Sequence, residues 1–149
     1  MAVQRERPYA QFNFLVDLGT GDTDSPDAGF QECSAMATEV AVAEYRNGND
    51  KENSVHKLAG LSRAGDVTLR RGLIGTLTLF EWLNAVRNGD EATRTVRIQL
   101  LNEDHTEPVL TWTLLRARIV KWAAGPLNAK GSDVAIEEIV LSCERLEIE

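Results

Sequence analysis

Cysteine and histidine, the residues that most often form disulfides and metal sites, are scarce in this sequence. The chain has 2 cysteines and 2 histidines among 149 residues, and none of them has the spacing of a metal ligand set. Cys33 and Cys143 stand far apart, so we expect free, buried thiols rather than a disulfide framework. The composition therefore predicts neither a metal site nor a disulfide-stabilised fold.

The sequence also lacks long apolar runs and an excess of basic residues. No run is long enough to span a bilayer, and the N-terminal MAVQRERPYAQF has no apolar core of the kind that a secretory signal needs. We therefore expect no membrane insertion and a cytoplasmic start. Asp and Glu number 23 against 16 Lys and Arg, for a formal net charge of -7. Such a chain has no general affinity for nucleic acid, because phosphate binding requires clustered cations.

Motifs that carry catalysis are missing as well. The sequence contains no G-x-S-x-G elbow, no phosphate loop and no dinucleotide fingerprint. The acidic stretch DTDSPD (22–27) resembles the start of a calcium loop, but its proline interrupts the pattern, which favours a solvated turn. His56 and His105 lie in polar segments without ligand-spaced partners. We expect no enzymatic activity, no cofactor and no metal.

The sequence is rich in alternation of apolar and polar residues, the pattern of half-buried β-strands. In FNFLVDL (12–18), Phe12, Phe14, Val16 and Leu18 share one face. The same alternation predicts strands in the following segments: 36–46, 66–71, 94–101, 109–122 and 133–148.

One amphipathic helix is predicted in TLFEWLNAVRNG (78–89). Thr78 and Glu81 have the spacing of a capping box, and Gly89 can supply the left-handed residue that ends a helix. Leu79, Trp82, Leu83 and Val86 repeat on one face. We expect this face to pack on the sheet.

Two strands change the face on which their apolar residues fall. In 109–122 the change comes after Leu115, and in 133–148 it comes at Glu137 and Glu138, between Ile136 and Ile139. Strands with such breaks bend from one sheet into another. We predict a mainly β fold in a single domain (1–149): an antiparallel β-sandwich or partly open β-barrel with one packed α-helix.

The segment from Asn47 to Gly65 shows neither the strand nor the helix period and is predicted to be an extended loop. A long irregular connection in a compact domain is usually functional or disordered. Several predicted strands also have half-apolar outer faces, and open strand edges tend to pair with other chains. These features favour an assembling protein.

Two adjacent arginines, Arg70 and Arg71, end the strand that follows this segment. By strand alternation they point to opposite faces, so they cannot bind one phosphate together while the strand is regular. A pairing within the domain and a pairing between subunits both remain open for them.

Four segments, taken in order, resemble the tail-tube (inner tube) protein family of contractile phage tails and phage-tail-like contractile injection systems. They are AEYRNGN (43–49), LAGLSRAGDVTLRRG (58–72), the helix residue Trp82 and WAAGPLNAKGSDVAIEEI (122–139). The resemblance covers nearly the whole chain. It implies a structural protein with the tail-tube fold, whose hexameric rings stack into a rigid inner tube that conducts cargo.

The resemblance also implies the partners of such a protein. They are further copies of the chain, a contractile sheath protein, baseplate and tail-terminator proteins, and a protein effector or DNA as cargo in the lumen. Assembly is expected in the cytoplasm, and the product is a phage tail or a phage-tail-like injection particle. The segments RRG and WAAGPLNAKG favour the extracellular particle type.

The predicted loop 47–65 would then reach a neighbouring subunit in its own ring or in the adjacent ring. At least one of the two arginines would pair with carboxylates of that neighbour, in DTDSPD (22–27) or NDKE (49–52). Arg71→Glu is expected to block assembly while the monomer stays folded. The expected subunit or ring interface comprises Arg46, Asn47, Asn49, Lys51, His56, Lys57, Arg63, Arg70, Arg71, Asp22 and Asp24.

Two other classes of protein are compatible with a β-rich fold. A small-molecule-binding β-barrel would line its pocket with Trp82, Trp112 and Trp122. A barrel enzyme would need an Asp or His of strongly shifted pKa in segment 47–65. The first two tryptophans fall on apolar faces, which favours the core, and Trp122 is expected to be partly exposed.

Overall fold

A computed structural model describes residues 2–149, which form a mainly β fold with one α-helix. The strands are β1 (Phe14–Asp17), β2 (Glu32–Cys33), β3 (Thr38–Tyr45), β4 (His56–Ala64), β5 (Val67–Gly72), β6 (Arg94–Leu101), β7 (Pro108–Ala124), β8 (Ile136–Ser142) and β9 (Arg145–Ile148). The helix α1 spans Thr78–Arg87, and a short 3-10 helix spans Pro26–Ala28.

The strands form an antiparallel body and a separate hairpin. The body follows the path β1–β6–β7–β8–β5–β2, with β9 also paired to β7, whereas β3 and β4 pair only with each other among the described strands. The first half of β7 pairs with β6 and β9, and its second half pairs with β8. The prediction of antiparallel β layers with one packed helix is confirmed.

The long strand β7 changes face in its middle, as predicted. Arg116 has a φ of 52°, and the register with β6 shifts opposite this point, between Arg94 and Val96. Leu114 and Ala117 are both buried although they are an odd number of residues apart. This bulge lets β7 leave one layer of the body and join the other.

The break predicted in the last long strand is absent from β8. Glu137 lies on the same face as Ile139 and Leu141, and all three are buried. The register with β5 is continuous from Ile136 to Leu141. The prediction was wrong because it assigned Glu137 to the surface by its charge, whereas this carboxylate has a buried partner.

The first strand is shorter than predicted. Val16 and Leu18 are buried as expected, but Phe12 precedes β1 and is 68% exposed. The chain bends at residues 11–12, and Asn13 is buried in place of the phenylalanine. The amide of Asn13 donates to the backbone oxygens of Asn102 and Glu103, both at 3.4 Å.

The helix packs on the body as predicted. Leu79 and Trp82 are buried, and the Phe80 ring meets the Trp122 ring edge to face at 5.4 Å. Gly89 has a φ of +92° and follows the helix end. The predicted capping box does not form, because α1 starts one residue earlier than that motif requires: Leu77 is the N-cap and has no side-chain hydrogen bond.

The hydrophobic core lies between the two layers of the body and under α1. Its buried members come from β1, β5, β6, β7, β8 and the helix. They are Val16, Leu18, Val67, Leu69, Leu79, Trp82, Val96, Ile98, Leu114, Ala117, Ile119, Ile139 and Leu141. The hairpin contributes no member to this cluster within residues 2–149.

Segment 47–65 is not one long loop, because its second half forms a strand, which corrects the prediction. Residues 56–64 form β4 and pair with β3 from Tyr45↔His56 to Thr38↔Ala64. The strand has no visible period because neither of its faces packs on the body, so small, apolar and charged residues occur on both. Only the turn between β3 and β4 remains irregular.

Candidate assembly interface

The hairpin of β3 and β4, residues 38–64, is the most exposed regular element of the protein, and we call it the arm. Every residue of its two strands except Ala64 is exposed. Large apolar side chains are among them: Val40, Val42, Tyr45, Leu58 and Leu61, the last at 82%. A two-stranded hairpin alone in water is at best marginally stable. The arm therefore has the exposed apolar side chains that are typical of a contact surface.

The arm continues the edge of the body rather than hanging from a flexible linker. Cys33 of β2 opposes Leu69 of β5, and Thr38 of β3 opposes Ala64 of β4 in the same register. The Gly65 N–H donates to the Ala37 oxygen at 2.8 Å across the junction. The strands β2 and β5 of the body thus continue into β3 and β4 of the arm, and this continuity sets the direction of the arm.

The centre of the arm carries a bulge and small side chains. The register shifts between Val40 and Val42, so that β4 has an extra residue there. A Cβ on Gly60 would approach the Ala41 oxygen to 3.0 Å, so a glycine allows the two strands to come close at this point. Opposite charges face each other on either side of the bulge, in the pairs Glu39↔Arg63 and Glu44↔Lys57.

The turn of the arm is held by side chains that the sequence assigned to the interface. The Arg46 guanidinium donates to the backbone oxygens of Glu52 and Asp50, both at 3.1 Å. The Asp50 carboxylate accepts from the Asn47 N–H at 3.0 Å and lies 3.3 Å from His56 Nε2. Arg46, Asn47 and His56 therefore shape the turn.

The other predicted interface residues of the arm point into solvent. Asn49, Lys51, Lys57 and Arg63 are all exposed. Within the described part of the chain, the three cations among them form no ion pair. The structure thus brings seven of the eleven predicted residues into one element, although it does so through a strand that the sequence did not reveal.

Asp22 and Asp24 lie far along the chain from the arm, in the turn that precedes the 3-10 helix. The Asp22 carboxylate accepts from the Ser25 hydroxyl and from the N–H groups of Ser25 and Asp24, each N–H at 3.1 Å. The Ser25 hydroxyl and these N–H groups hold the pKa of Asp22 below its usual value. No metal-binding cluster of His, Cys, Asp or Glu occurs in residues 2–149.

Arg70 and Arg71 point to opposite faces of β5, as predicted. Arg70 lies on the exposed face, with its Nε 2.9 Å from Glu138 Oε2 and its NH1 3.8 Å from Glu32 Oε2. Lys121 Nζ lies 3.8 Å from the other oxygen of Glu138. Charges of alternating sign thus cross four strands and neutralise one another on this face.

Arg71 lies in the core, which corrects its assignment to the interface. Its Nε is 2.5 Å from Glu137 Oε1. Its other nitrogens donate to the Asp27 oxygen at 2.6 Å and the Thr76 hydroxyl at 2.8 Å. Trp122 Nε1 donates to the second Glu137 oxygen at 3.1 Å. Arg71 cannot reach a neighbour, and glutamate in its place would face Glu137 inside the core, so the expectation that Arg71→Glu leaves the monomer folded is withdrawn.

The tryptophans do not converge on a pocket. Trp82 is buried and donates to the Ala92 oxygen at 2.6 Å. Trp112 and Trp122 are half-buried against the core. Each ring is thus part of the packing of the body, and the small-molecule-binding alternative is not favoured.

The two cysteines are free thiols, and both are half-buried rather than fully buried. Burial raises the pKa of Cys33 to about 11 and also raises the pKa of Cys143. Separately, none of the helices in the described residues is long and apolar enough to cross a membrane.

Sequence reasoning missed several exposed apolar residues that lie at the end of β5 and between β7 and β8, away from the arm. The loop 125–135 between β7 and β8 exposes Leu127 and Val134, and Leu73, Ile74 and Leu77 are exposed after β5. The signal available in the sequence was two apolar residues within the turn-rich stretch GPLNAKGSDV.

Comparisons with known proteins agree with the fold described above. The family model described as T4-like virus tail tube protein gp19 matches residues 10–147. No sequence match was found among curated proteins.

Solved structures match most of the chain. One is a chain of the sheath–tube complex of the PVC extracellular contractile injection system in its extended state, with 26% identity, a TM-score of 0.84, and coverage of 97% of this chain and 93% of that chain. Another is a chain of the anti-feeding prophage baseplate, with 29% identity, a TM-score of 0.79 and 97% coverage of both. Hcp1 from Flavobacterium johnsoniae shares the fold, at 12% identity and a TM-score of 0.57 over 91% of this chain and 93% of that chain. The chain belongs to the T4-like virus tail tube protein family and is a tail tube protein of contractile injection systems.

Proposed function

We propose that copies of this chain associate into hexameric rings, which stack as the inner tube of an extracellular contractile injection particle. The observation that carries the proposal is the arm. A hairpin exposed on both faces and anchored to the body by two continuing strands leaves its apolar side chains uncovered within its own chain. Packing against other copies would cover the apolar side chains that the arm exposes and would stabilise the hairpin.

The relatives support this setting. One of them is part of a sheath–tube complex and another is part of a baseplate. By analogy, the partners of this chain are a contractile sheath around the tube, a baseplate at one end and a terminator at the other. The proposed role is structural, and the body provides no convergent pocket of tryptophans for a ligand.

Subunit contacts are proposed for the exposed polar residues of the arm, Asn49, Lys51, Lys57 and Arg63, beside its apolar centre. Arg46, Asn47 and His56 would act through the shape of the turn. Asp22, Asp24 and Arg70 are proposed as contacts on the body surface. Arg71 is left out because its side chain is buried.

Cargo is proposed to be a protein effector or DNA that moves along the lumen. The formal net charge of -7 disfavours adhesion of phosphates to the wall. The mutually neutralised row of Glu32, Arg70, Glu138 and Lys121 would present little net charge if it faces the lumen. Assembly in the cytoplasm before incorporation into the particle is part of the same proposal.

Electron microscopy with size-exclusion chromatography tests this function directly. The purified protein should form rings of sixfold symmetry or stacked tubes as its concentration rises. Val42→Lys places a charge at the exposed centre of the arm, where it should leave the folded monomer stable within about 0.5 kcal/mol, since the site is solvated there. It should prevent assembly, because the charge would be buried in the contact.

Val42→Thr is the matched control, since it keeps the β-branched shape without a charge and should assemble. Circular dichroism verifies the fold of each variant. A protein that stays monomeric at every concentration, even with a baseplate added as initiator, would contradict the proposed function. Normal tubes from Val42→Lys would contradict the role of the arm.

A further inference from the structure

The dipeptide Asn–Gly occurs twice in this chain, as Asn47–Gly48 in the turn of the arm and as Asn88–Gly89 after α1. An asparagine followed by glycine is prone to lose its side-chain amide, because glycine has no Cβ to hinder attack by its own backbone nitrogen. Both residues of each pair are exposed. The sequence therefore does not distinguish the two pairs, whereas their tertiary surroundings do.

The reaction joins the asparagine side chain to the backbone of the next residue. The glycine nitrogen forms a bond to the asparagine Cγ, the bond between Cγ and Nδ2 breaks, and ammonia leaves with the proton that the glycine N–H gives up. Water then opens the resulting cyclic imide at either carbonyl, which yields aspartate or isoaspartate. A glycine N–H without an acceptor, a polarised asparagine carbonyl and a backbone that opens easily all favour this reaction.

The attacking nitrogen is free in one pair and hydrogen-bonded in the other. At the end of α1, the Gly89 N–H donates to the Val86 oxygen at 3.2 Å. Among residues 2–149, the Gly48 N–H has no hydrogen-bond acceptor. The bond of Gly89 has to break before its nitrogen can attack, so the nitrogen of Gly48 is the more available nucleophile.

The carbonyl that is attacked has a hydrogen-bond donor in the arm. The Tyr45 hydroxyl donates to Asn47 Oδ1 at 2.6 Å. Negative charge develops on this oxygen when the glycine nitrogen adds to Cγ, and a donor that already points at the oxygen stabilises that charge. Beside Asn88, the Arg87 guanidinium donates instead to Asn84 Oδ1, at 2.7 Å. The Asn47 side chain is therefore the better electrophile.

The backbone around Asn47 also opens more easily than the backbone around Asn88. The Asn47 N–H donates to the Asp50 carboxylate at 3.0 Å, and the Asp50 N–H donates to the Asn47 oxygen at 3.1 Å. These bonds close the turn of a hairpin that is exposed on both faces, so opening them costs little. Asn88 is the C-cap of α1, whose Leu79 and Trp82 are buried, and opening there disturbs the packing of the body.

We infer that Asn47 is a site of spontaneous deamidation in the free chain, that the Tyr45 hydroxyl assists the reaction, and that Asn88 is preserved. This inference does not depend on the proposed function, because every contact that it uses lies within one chain. Aspartate at this position adds a negative charge close to the Asp50 carboxylate, and isoaspartate lengthens the main chain of the turn by a methylene group. Either product weakens the hydrogen bonds that shape the turn of the arm.

Ageing of the purified protein, followed by peptide mass spectrometry, tests the inference. Dilute protein is incubated in a mildly alkaline buffer, and the monomer fraction from a sizing column is digested. Fragmentation of the peptides then locates the amide-to-acid change and separates aspartate from isoaspartate. We expect Asn47 to react at least about tenfold faster than Asn88, which corresponds to about 1.4 kcal/mol in the barrier. Equal rates, or a faster reaction at Asn88, would overturn the inference.

Gly48→Ala tests whether the backbone nitrogen is the nucleophile. A Cβ at Gly48 has no atom within 4 Å, so the turn should keep its shape, and circular dichroism verifies the fold. The added methyl group hinders the approach of the nitrogen to Cγ. The reaction at Asn47 should slow at least about tenfold, by about 1.4 kcal/mol in the barrier, while the rate at Asn88 stays the same. An unchanged rate at Asn47 would overturn the inference.

Tyr45→Phe tests the role of the hydroxyl, since it removes only that group from an exposed ring. If the hydroxyl stabilises the charge that develops on Asn47 Oδ1, its loss should slow the reaction about two- to tenfold. If it only held the turn closed, its loss would speed the reaction, because the turn would open more often. The rate at Asn88 in the same digest is the internal control. An unchanged or faster reaction at Asn47 would overturn the assignment of Tyr45.

Discussion

Arg71 and Glu137 form an ion pair in the core, with 2.5 Å between Nε and Oε1 and with only 1% and 3% of their side chains exposed. They stand opposite each other on β5 and β8. The other two guanidinium nitrogens each donate one hydrogen bond, to the Asp27 oxygen and the Thr76 hydroxyl, and the second Glu137 oxygen accepts one from Trp122. One network thus ties two central strands to β7, to the 3-10 helix and to the segment that enters α1.

Loss of one partner of this pair should destabilise the protein strongly. Arg71→Met leaves the Glu137 carboxylate buried without its cation, which costs about 3–5 kcal/mol. Urea denaturation of the two proteins gives the difference in the free energy of unfolding. Arg70→Met, one residue away on the exposed face, is the matched control and should cost at most about 1 kcal/mol.

The double variant Arg71→Met/Glu137→Leu should recover much of the stability, since it leaves no buried charge unpaired. If Arg71→Met and Arg70→Met lower the free energy of unfolding by equal amounts, the buried pair contributes no more to stability than the exposed one, and the prediction is wrong.

Protection of the arm from protease should depend on assembly. In the monomer, the arm should be cleaved by trypsin after Arg46, Lys51, Lys57 or Arg63, because a two-stranded hairpin opens easily. In tubes the same sites should be protected by neighbouring copies. Limited proteolysis followed by mass spectrometry distinguishes the two states. Cleavage at equal rates in monomer and tube would exclude burial of the arm in the assembly.

A side chain at Gly125 should destabilise the body. A Cβ there would come within 2.9 Å of the Ile136 backbone oxygen, which cannot move without disturbing the pairing of β7 with β8. Gly125→Ala should therefore cost about 1–3 kcal/mol. Gly48→Ala is the control, because no atom lies within 4 Å of a Cβ at that position. The melting temperatures of the two variants should differ, and matching values would refute the prediction.

The carboxyl group of Glu103 should titrate well below an ordinary glutamate. A hydrogen bond from the Arg5 side chain is the main cause that lowers its pKa from 4.5 to about 2. Because the folded-state pKa is depressed, any stabilisation from this group is present above about pH 4.5 and is lost as the pH falls towards 2. The effect on stability should be small, since both groups are exposed.

NMR titration of the Glu103 carboxyl carbon measures this pKa directly. In Arg5→Met the pKa should rise towards 4.5, whereas Arg7→Met, which removes a nearby arginine without this bond, should leave it low. A pKa near 4.5 in the unmodified protein would contradict the prediction.

The sequence by itself determined the features that depend on neighbours along the chain. Alternation predicted most of the strands and the opposite directions of Arg70 and Arg71. The shift of apolar residues after Leu115 predicted the bulge in β7, and the 3.6-residue repeat together with Gly89 predicted α1. These patterns are local because strand and helix periods place side chains on faces within a few residues.

Only the tertiary structure decided the features that depend on distant partners. Glu137 faces inward because Arg71, 66 residues away in sequence, stands opposite it, and a charge pattern along one strand does not contain that information. β4 escaped prediction because both of its faces are exposed, so its sequence shows no apolar face. The exposed side chains of Leu73 and Val134 come close together because the end of β5 bonds to the segment that enters β8, through the Leu73 N–H and the Ala135 oxygen. Burial of a side chain is a property of the whole fold, whereas periodicity is a property of the segment.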